Sequence, residues 1–160
     1  MRFGCDWVTT DSRLPTDVQP TQVQVRWPRS PTPEVATAEA VGQVVKGRWS
    51  IDRKHDIGPG DEAYLVRQAI KPRGIISAGV VTSAPYTDAH WEISGELSEC
   101  VEVDWTRAVP FADPLRLGDL RHVSPKQHWE AQQSGIVLRP ECGRAVADLW
   151  DAHVHKRRRW

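Results

Sequence analysis

Three cysteines in 160 residues, Cys5, Cys100 and Cys142, are odd in number, widely separated and never in Cys-x-x-Cys spacing. That argues against a disulfide framework and a zinc site, and favours a reducing compartment. No apolar run approaches the roughly 18 residues of a transmembrane helix, and the first residues lack the apolar core of a secretory signal. The expectation is a cytoplasmic protein with no membrane partner. Net charge is +0, from 21 basic and 21 acidic residues, so no global field draws the chain onto a polyanion and nucleic-acid binding must be local. Phosphate loops, dinucleotide-binding glycines and Gly-x-Ser-x-Gly elbows are absent. The six histidines form no His-x-x-x-His pair and no HNH-like array. Asp52–Arg53–Lys54 has the Asp-x-Lys form of one metal-dependent nuclease signature, with Glu34 or Asp17 as the distant carboxylate. The apolar strand such a triplet needs is missing, and the expectation is a protein that is not an enzyme and has no metal or cofactor.

What is present describes one domain. Charged residues are 26% and hydrophobic ones 39%, a globular balance in a chain long enough to bury a core. Residues 1–20, with Pro15 and Pro20, read as an N-terminal extension. Thr21 to Trp27 alternates polar and apolar, as a half-buried strand does. Thr32 as N-cap and Pro33 at the first helical position open a predicted helix over 33–46, with Val35, Ala38 and Val41 at helical spacing and Gly47 as its stop. Pro59–Gly60–Asp61 signals a turn, 63–68 a strand, Lys71–Pro72–Arg73–Gly74 a second turn and 75–82 a second strand, which together make a hairpin. Gly79 inside that strand marks a bulge or a close approach by a ligand or another backbone. From Glu99 to Ala108, Val101, Val103 and Trp105 take one face and Glu102 and Asp104 the other. Leu115 to Leu120 reads as a turn of helix, 122–133 as a connector and 136–138 as a short strand. A last helix, about 141–155, buries Val146, Leu149 and Trp150, and 156–160 form a basic tail. The predicted class is α+β: a small β-barrel of five to six mostly antiparallel strands with two flanking helices.

Eight tryptophans are the chemical signal. Trp105 and Trp150, at regular apolar positions, read as core. Trp49, Trp91 and Trp129 lie beside polar residues in turns or connectors, where an indole can line a pocket with its N–H accessible. Lys46, Arg48, Arg53, Lys54, Arg67, Lys71 and Arg73 crowd one stretch; Glu92, Glu96, Glu99, Glu102 and Asp104 crowd the next.

The order of these features resembles the EVE domains, small modules of the PUA-like superfamily. The resemblance is carried by Gly47–Arg48–Trp49–Ser50, the Gly60–Asp61 turn, the strand ending Arg67–Gln68, Pro72–Arg73–Gly74–Ile75, the run from Thr82 through Tyr86 to Trp91, Val101 to Trp105, and Trp129 to Ile136. It spans about residues 21–155, and Gln133 departs from the family's Ser-Ser pair. In fold and function it implies a PUA-like reader that binds a modified base, in the first place 5-methylcytosine or 5-hydroxymethylcytosine in double-stranded DNA, by flipping it into an aromatic pocket. Trp49 and Trp129 would stack on the base. Gln68, Gln132, Ser134 and the Gly135 backbone would read its edge, with Ser77, Thr82 and Ser83 from the hairpin side. Stacking contributes about 1–3 kcal/mol per base and extrusion costs a few, so phosphate contacts from Arg48, Arg53, Lys54, Arg67 or Arg73 must supply net affinity. Arg67 can instead pair with Glu102 or Asp104. Such readers guide a nuclease or another effector. An RNA-binding version of the fold is the alternative, and a protein-interaction or small-ligand module is the third reading.

Overall fold

The structure, a computed structural model, describes residues 22–26, 44–51, 57–68, 70–90, 93–130 and 136–157. Among these residues eight strands form one sheet: β1 (Gln22–Arg26), β2 (Val45–Ser50), β3 (Glu62–Arg67), β4 (Gly74–Val81), β5 (Tyr86–Ala89), β6 (Leu97–Ala108), β7 (Leu115–Arg116) and β8 (Ile136–Val137). Among the described residues two helices, α1 (Leu117–Val123) and α2 (Pro140–Arg157), follow β7 and β8. The order across the sheet is β2-β6-β4-β3-β1-β8, with β5 on β6 and β7 on β4. All pairings are antiparallel except β1 with β3. The predicted α+β class holds, but the barrel does not close among the described residues: β2 and β8 stand at opposite ends of the order, unpaired with each other.

The predicted hairpin is β3–β4, joined through Lys71–Gly74 and in register from Glu62↔Val80 to Arg67↔Gly74. Its far end is closed by the turn read at Pro59–Gly60–Asp61, where the Asp61 carboxylate accepts from the Gly58 N–H at 2.8 Å and the Asp61 carbonyl from the Val81 N–H at 2.8 Å. The predicted helix over 33–46 lies outside the described residues up to 43. Its last residues are strand, since Val45 pairs with Trp105 and Lys46 with Asp104 on β6. The final helix runs Pro140–Arg157, so Lys156 and Arg157 belong to it rather than to a tail.

Strand alternation divides the core in two. Ala63 and Leu65 of β3 point to one face of the sheet and Tyr64 and Val66 to the other, as a period of two requires. On the first face they join Ile51, Ile57, Ile76, Val81, Val101, Val103 and Trp105, with Trp49 packed against them. On the second, Tyr64, Val66 and Ile75 meet Leu117 and Leu120 of α1, Val146, Trp150 and Val154 of α2, and Trp129. Cys100 and Cys142 are buried free thiols. No helix among the described residues is long and apolar enough to cross a membrane.

Gly79 sits at a register shift between β4 and β6, and what approaches it is backbone. A Cβ there would lie 2.3 Å from the Asp104 carbonyl oxygen, a contact that only movement of a paired strand relieves. Gly79→Ala is therefore expected to cost about 1–3 kcal/mol, read as a lower urea midpoint at unchanged slope. Gly118→Ala in α1, where a Cβ meets nothing within 4 Å, should hold or raise the midpoint.

Candidate nucleic-acid interface

β2 carries the Gly47–Arg48–Trp49–Ser50 segment along β6 in the register Gly47↔Val103, Arg48↔Glu102, Trp49↔Val101. Alternation turns Lys46 and Arg48 to the wet face of this pair and Val45, Gly47 and Trp49 toward the core. There the Trp49 indole meets Trp105 edge to face, ring centroids 5.4 Å apart at 87°, an arrangement that aromatic quadrupoles favour. Gly47 lies beneath them: a Cβ would come within 2.9 Å of Trp49 Nε1 and 3.7 Å of Trp105 Nε1. Both indole nitrogens thus converge on a residue with no side chain. Trp105 is 2% exposed, and its N–H has no acceptor among the described residues. A buried donor left unmet costs about 1–3 kcal/mol. Trp150, within the other cluster, shares that property, and the half-buried ring beside it is the His153 imidazole, centroids 6.4 Å apart, where Trp105 has the larger indole of Trp49. The corner offers a flat apolar face and a donor edge, the two elements that hold a planar heteroaromatic ring.

The wet face of the same strands is a closed electrostatic lattice. Arg48 is ion-paired with Asp88 of β5 and Tyr86 O–H donates to the Glu102 carboxylate, while on the other face of β5 Thr87 O–H donates to Glu99 at 3.1 Å. The Ala89 N–H first, and Arg48 second, hold the Asp88 carboxyl below its ordinary range. The bond to Asp88 raises the Arg48 guanidinium in turn. Burial first, and the Glu102 carboxylate second, push the Tyr86 phenol up to about 12. Arg48 was expected to bind phosphate; here it is neutralised amid Asp88, Glu102 and Asp104.

The other expected site residues are dispersed. Trp129 is 2% exposed and its N–H donates to the Ser124 carbonyl at 3.2 Å, so the accessible indole N–H expected from sequence is a bonded core group. It also lies on the opposite face of the sheet from Trp49, and the two cannot sandwich one base. Gln68 donates to the Trp129 carbonyl at 3.0 Å, tying the end of β3 to that loop. Ser77 is fully buried and donates to the Arg107 carbonyl at 2.8 Å. Thr82 is exposed, with its N–H on the Glu102 carbonyl. Ser83 Oγ accepts from the Glu102 N–H and donates to the Ala84 carbonyl, both at 2.9 Å. Arg67 pairs with neither Glu102 nor Asp104: it donates to the Phe111 carbonyl at 2.7 Å and the Lys71 carbonyl at 3.0 Å, with its guanidinium 5.6 Å from the Phe111 ring centre. Those bonds make it a brace for two turns. Arg73 is exposed and shares Glu130 with Arg121. Arg53, Lys54, Trp91, Gln132, Ser134 and Gly135 lie outside the described residues, as does the Asp52–Lys54 triplet.

Sequence reasoning assigned Trp105 to the core and did not pair it with Trp49. The alternation of β6 placed it on the dry side, but only the β2–β6 register brings Trp49 to its edge. Among the described residues, no group of three or more His, Cys, Asp and Glu could hold a metal ion.

No protein-family description and no curated protein matches the chain. Solved structures do. A protein from Pseudomonas putida superposes with a TM-score of 0.56 at 18% identity, covering 80% of this chain and 98% of its own. The YTH domain of Mmi1 superposes at 0.51 with 10% identity, covering 85% and 98%. The fold is similar to that of YTH domains. A complex of the YTH protein Mmi1 with RNA gives 0.51 at 12% identity, covering 85% of each chain. This YTH-like arrangement is an α+β sheet with helices packed on it, and at these identities the likeness is one of fold.

Proposed function

We propose that the chain is a non-catalytic reader of a modified nucleobase, an EVE-like module that guides a nuclease or other effector to modified nucleic acid. The observation that carries this reading is the Trp49–Trp105 corner, with an unmet indole donor beside a half-buried stacking face, in a fold similar to that of YTH domains. A flipped base stacks on aromatic rings and is read by donors at its edge. Trp49 supplies the ring and Trp105 the donor. Gln132, Ser134 and Gly135 are the residues assigned to the base edge in this reading, while Gln68, Ser77 and Ser83 act by holding loops and strands of the fold. The ligand class is 5-methylcytosine or 5-hydroxymethylcytosine in duplex DNA.

A second reading, a modified base in RNA, is favoured by one observation: the similar Mmi1 YTH domain is seen in complex with RNA. The test is binding to matched duplexes carrying cytosine, 5-methylcytosine, 5-hydroxymethylcytosine or N6-methyladenine at one site, beside RNA strands with and without the modified base, at two salt concentrations. A preference for one modified ligand that persists at the higher salt is expected, and the preferred ligand decides between DNA and RNA. Equal binding to all of them, erased by salt, would leave a phosphate-contacting surface and no base pocket.

A further inference from the structure

Two arginines from distant parts of the chain converge on one carboxylate. Arg73 Nη1 lies 3.3 Å from Glu130 Oε1, and Arg121 Nη2 lies 2.9 Å from Glu130 Oε2. The framework beneath them is held by backbone. The Arg73 carbonyl accepts the Leu117 N–H at 3.2 Å, joining the β3–β4 turn to α1, and Gly74 pairs with Arg116 where β4 meets β7. Arg116 is exposed, as is Lys126 in the turn that follows α1. Asp119 is the acidic residue of the helix's first turn. Arg73, Arg116, Arg121 and Lys126 are four cations on these adjoining segments against two carboxylates, Glu130 and Asp119, an excess of positive charge in a chain whose total is zero.

Of the cations nominated by sequence, Arg73 alone among the described residues belongs to this surface. Arg48 is committed to Asp88, and Arg67 to two carbonyls. At Glu130 the guanidiniums are instead half exposed and already bind an oxyanion between them. A carboxylate gripped by two guanidiniums occupies the place a phosphate takes in the same grip, because both present paired oxygens to planar N–H donors.

We propose that the face formed by Arg73, Arg116, Arg121 and Lys126 holds the phosphodiester backbone of a bound nucleic-acid strand, with Glu130 as a built-in competitor for two of its guanidiniums. This deepens the reader reading and rests on it for the identity of the base. Along β4, Gly74 stands five residues from Gly79, the partner of Trp105, about 17 Å at strand rise, and α1 packs on the face of the sheet opposite Trp49. Phosphates gripped at this end belong to nucleotides several steps from the one that is read.

The test uses the full chain with Glu130→Gln and Arg121→Gln, measuring binding to single-stranded RNA, single-stranded DNA and duplex DNA of one sequence across a salt series. Glu130→Gln frees two guanidiniums and is expected to bind about 3- to 10-fold more tightly, with the slope of log affinity on log salt for single strands steeper by about 0.7 per phosphate gained. Arg121→Gln is expected to flatten that slope by about 0.7. The preference for modified over unmodified ligand should be unchanged in both. Glu130→Gln binding no more tightly than the parent, at unchanged circular dichroism and melting temperature, would overturn the inference, as would tighter binding with no change in salt slope. A parent that prefers the modified base while Glu130→Gln changes nothing removes this surface alone. A parent with no preference whose Glu130→Gln variant still gains salt-sensitive affinity removes the base reading and leaves the surface standing.

Discussion

Trp49→Ala is expected to lower affinity for the modified ligand by about 5- to 150-fold, the equivalent of about 1–3 kcal/mol of lost stacking, and to bring the preference for modified over unmodified ligand close to unity. Trp49 is the half-buried member of the Trp49–Trp105 pair, so it is the ring a base stacks on, whereas Trp105 is 2% exposed and its part is confined to the N–H edge. Because Trp49 also packs against the first-face core, the informative readout is the ratio of the two affinities, which a modest loss of stability leaves alone. Binding titrations of paired ligands, with circular dichroism on the same samples, check it. A Trp49→Ala protein that keeps its preference would place the base elsewhere on the molecule. Trp105→Phe, which keeps an aromatic edge and deletes the unmet N–H, should retain the fold and lose part of the preference.

For Trp129→Ala the expected result is loss of stability rather than of recognition. The indole is 2% exposed among Leu120, Leu138, Val146 and Trp150, and its N–H is bonded to the Ser124 carbonyl. Truncating a buried aromatic costs about 3–5 kcal/mol, which in a domain of this size lowers the melting temperature by roughly 6–20 °C. The Gln68 bond to the Trp129 carbonyl adds a second consequence, a loosened end of β3. Among molecules that remain folded, the preference for the modified ligand should persist. A variant that melts like the parent and yet no longer discriminates would return Trp129 to the pocket.

These two experiments separate residues that look alike in sequence. Trp49 and Trp129 each sit beside polar neighbours, and nothing in their local context distinguishes a pocket wall from a core side chain. The hairpin, by contrast, was legible, because the Asp61 and Lys71–Gly74 turns depend on residues whose conformational preferences act within three or four positions. So was the division of β6 into a dry side with Val101, Val103 and Trp105 and a wet side with Glu102 and Asp104, since alternation is a local property of a strand. Misreadings fell where two local patterns competed. Val44 and Val45 continued the helical spacing from Val35, but pairing with Trp105 draws Val45 into β2, a tertiary override of local periodicity. Tyr86 to Ala89 shows no strand alternation of its own, and only the edge of β6 makes it a strand. The cations behaved likewise: Arg67 was placed in a strand correctly, but its carbonyl partners come from turns 4 and 44 residues away.

The sequence by itself determined the α+β class, the β3–β4 hairpin and its turns, the two-sidedness of β6, the amphipathic last helix and the absence of a global charge that could gather a polyanion. Each of these follows from spacing, turn chemistry or composition, which act over a few residues or over the whole chain. The tertiary structure decided which tryptophans meet, that Trp49 and Trp129 lie on opposite faces of one sheet, and that Arg48 and Arg67 are spent on partners while Arg73 and Arg121 share Glu130. Those facts depend on strand order and register, which are set by the sum of many long-range contacts, and a one-residue slip in register would reverse every one of the faces on which they rest.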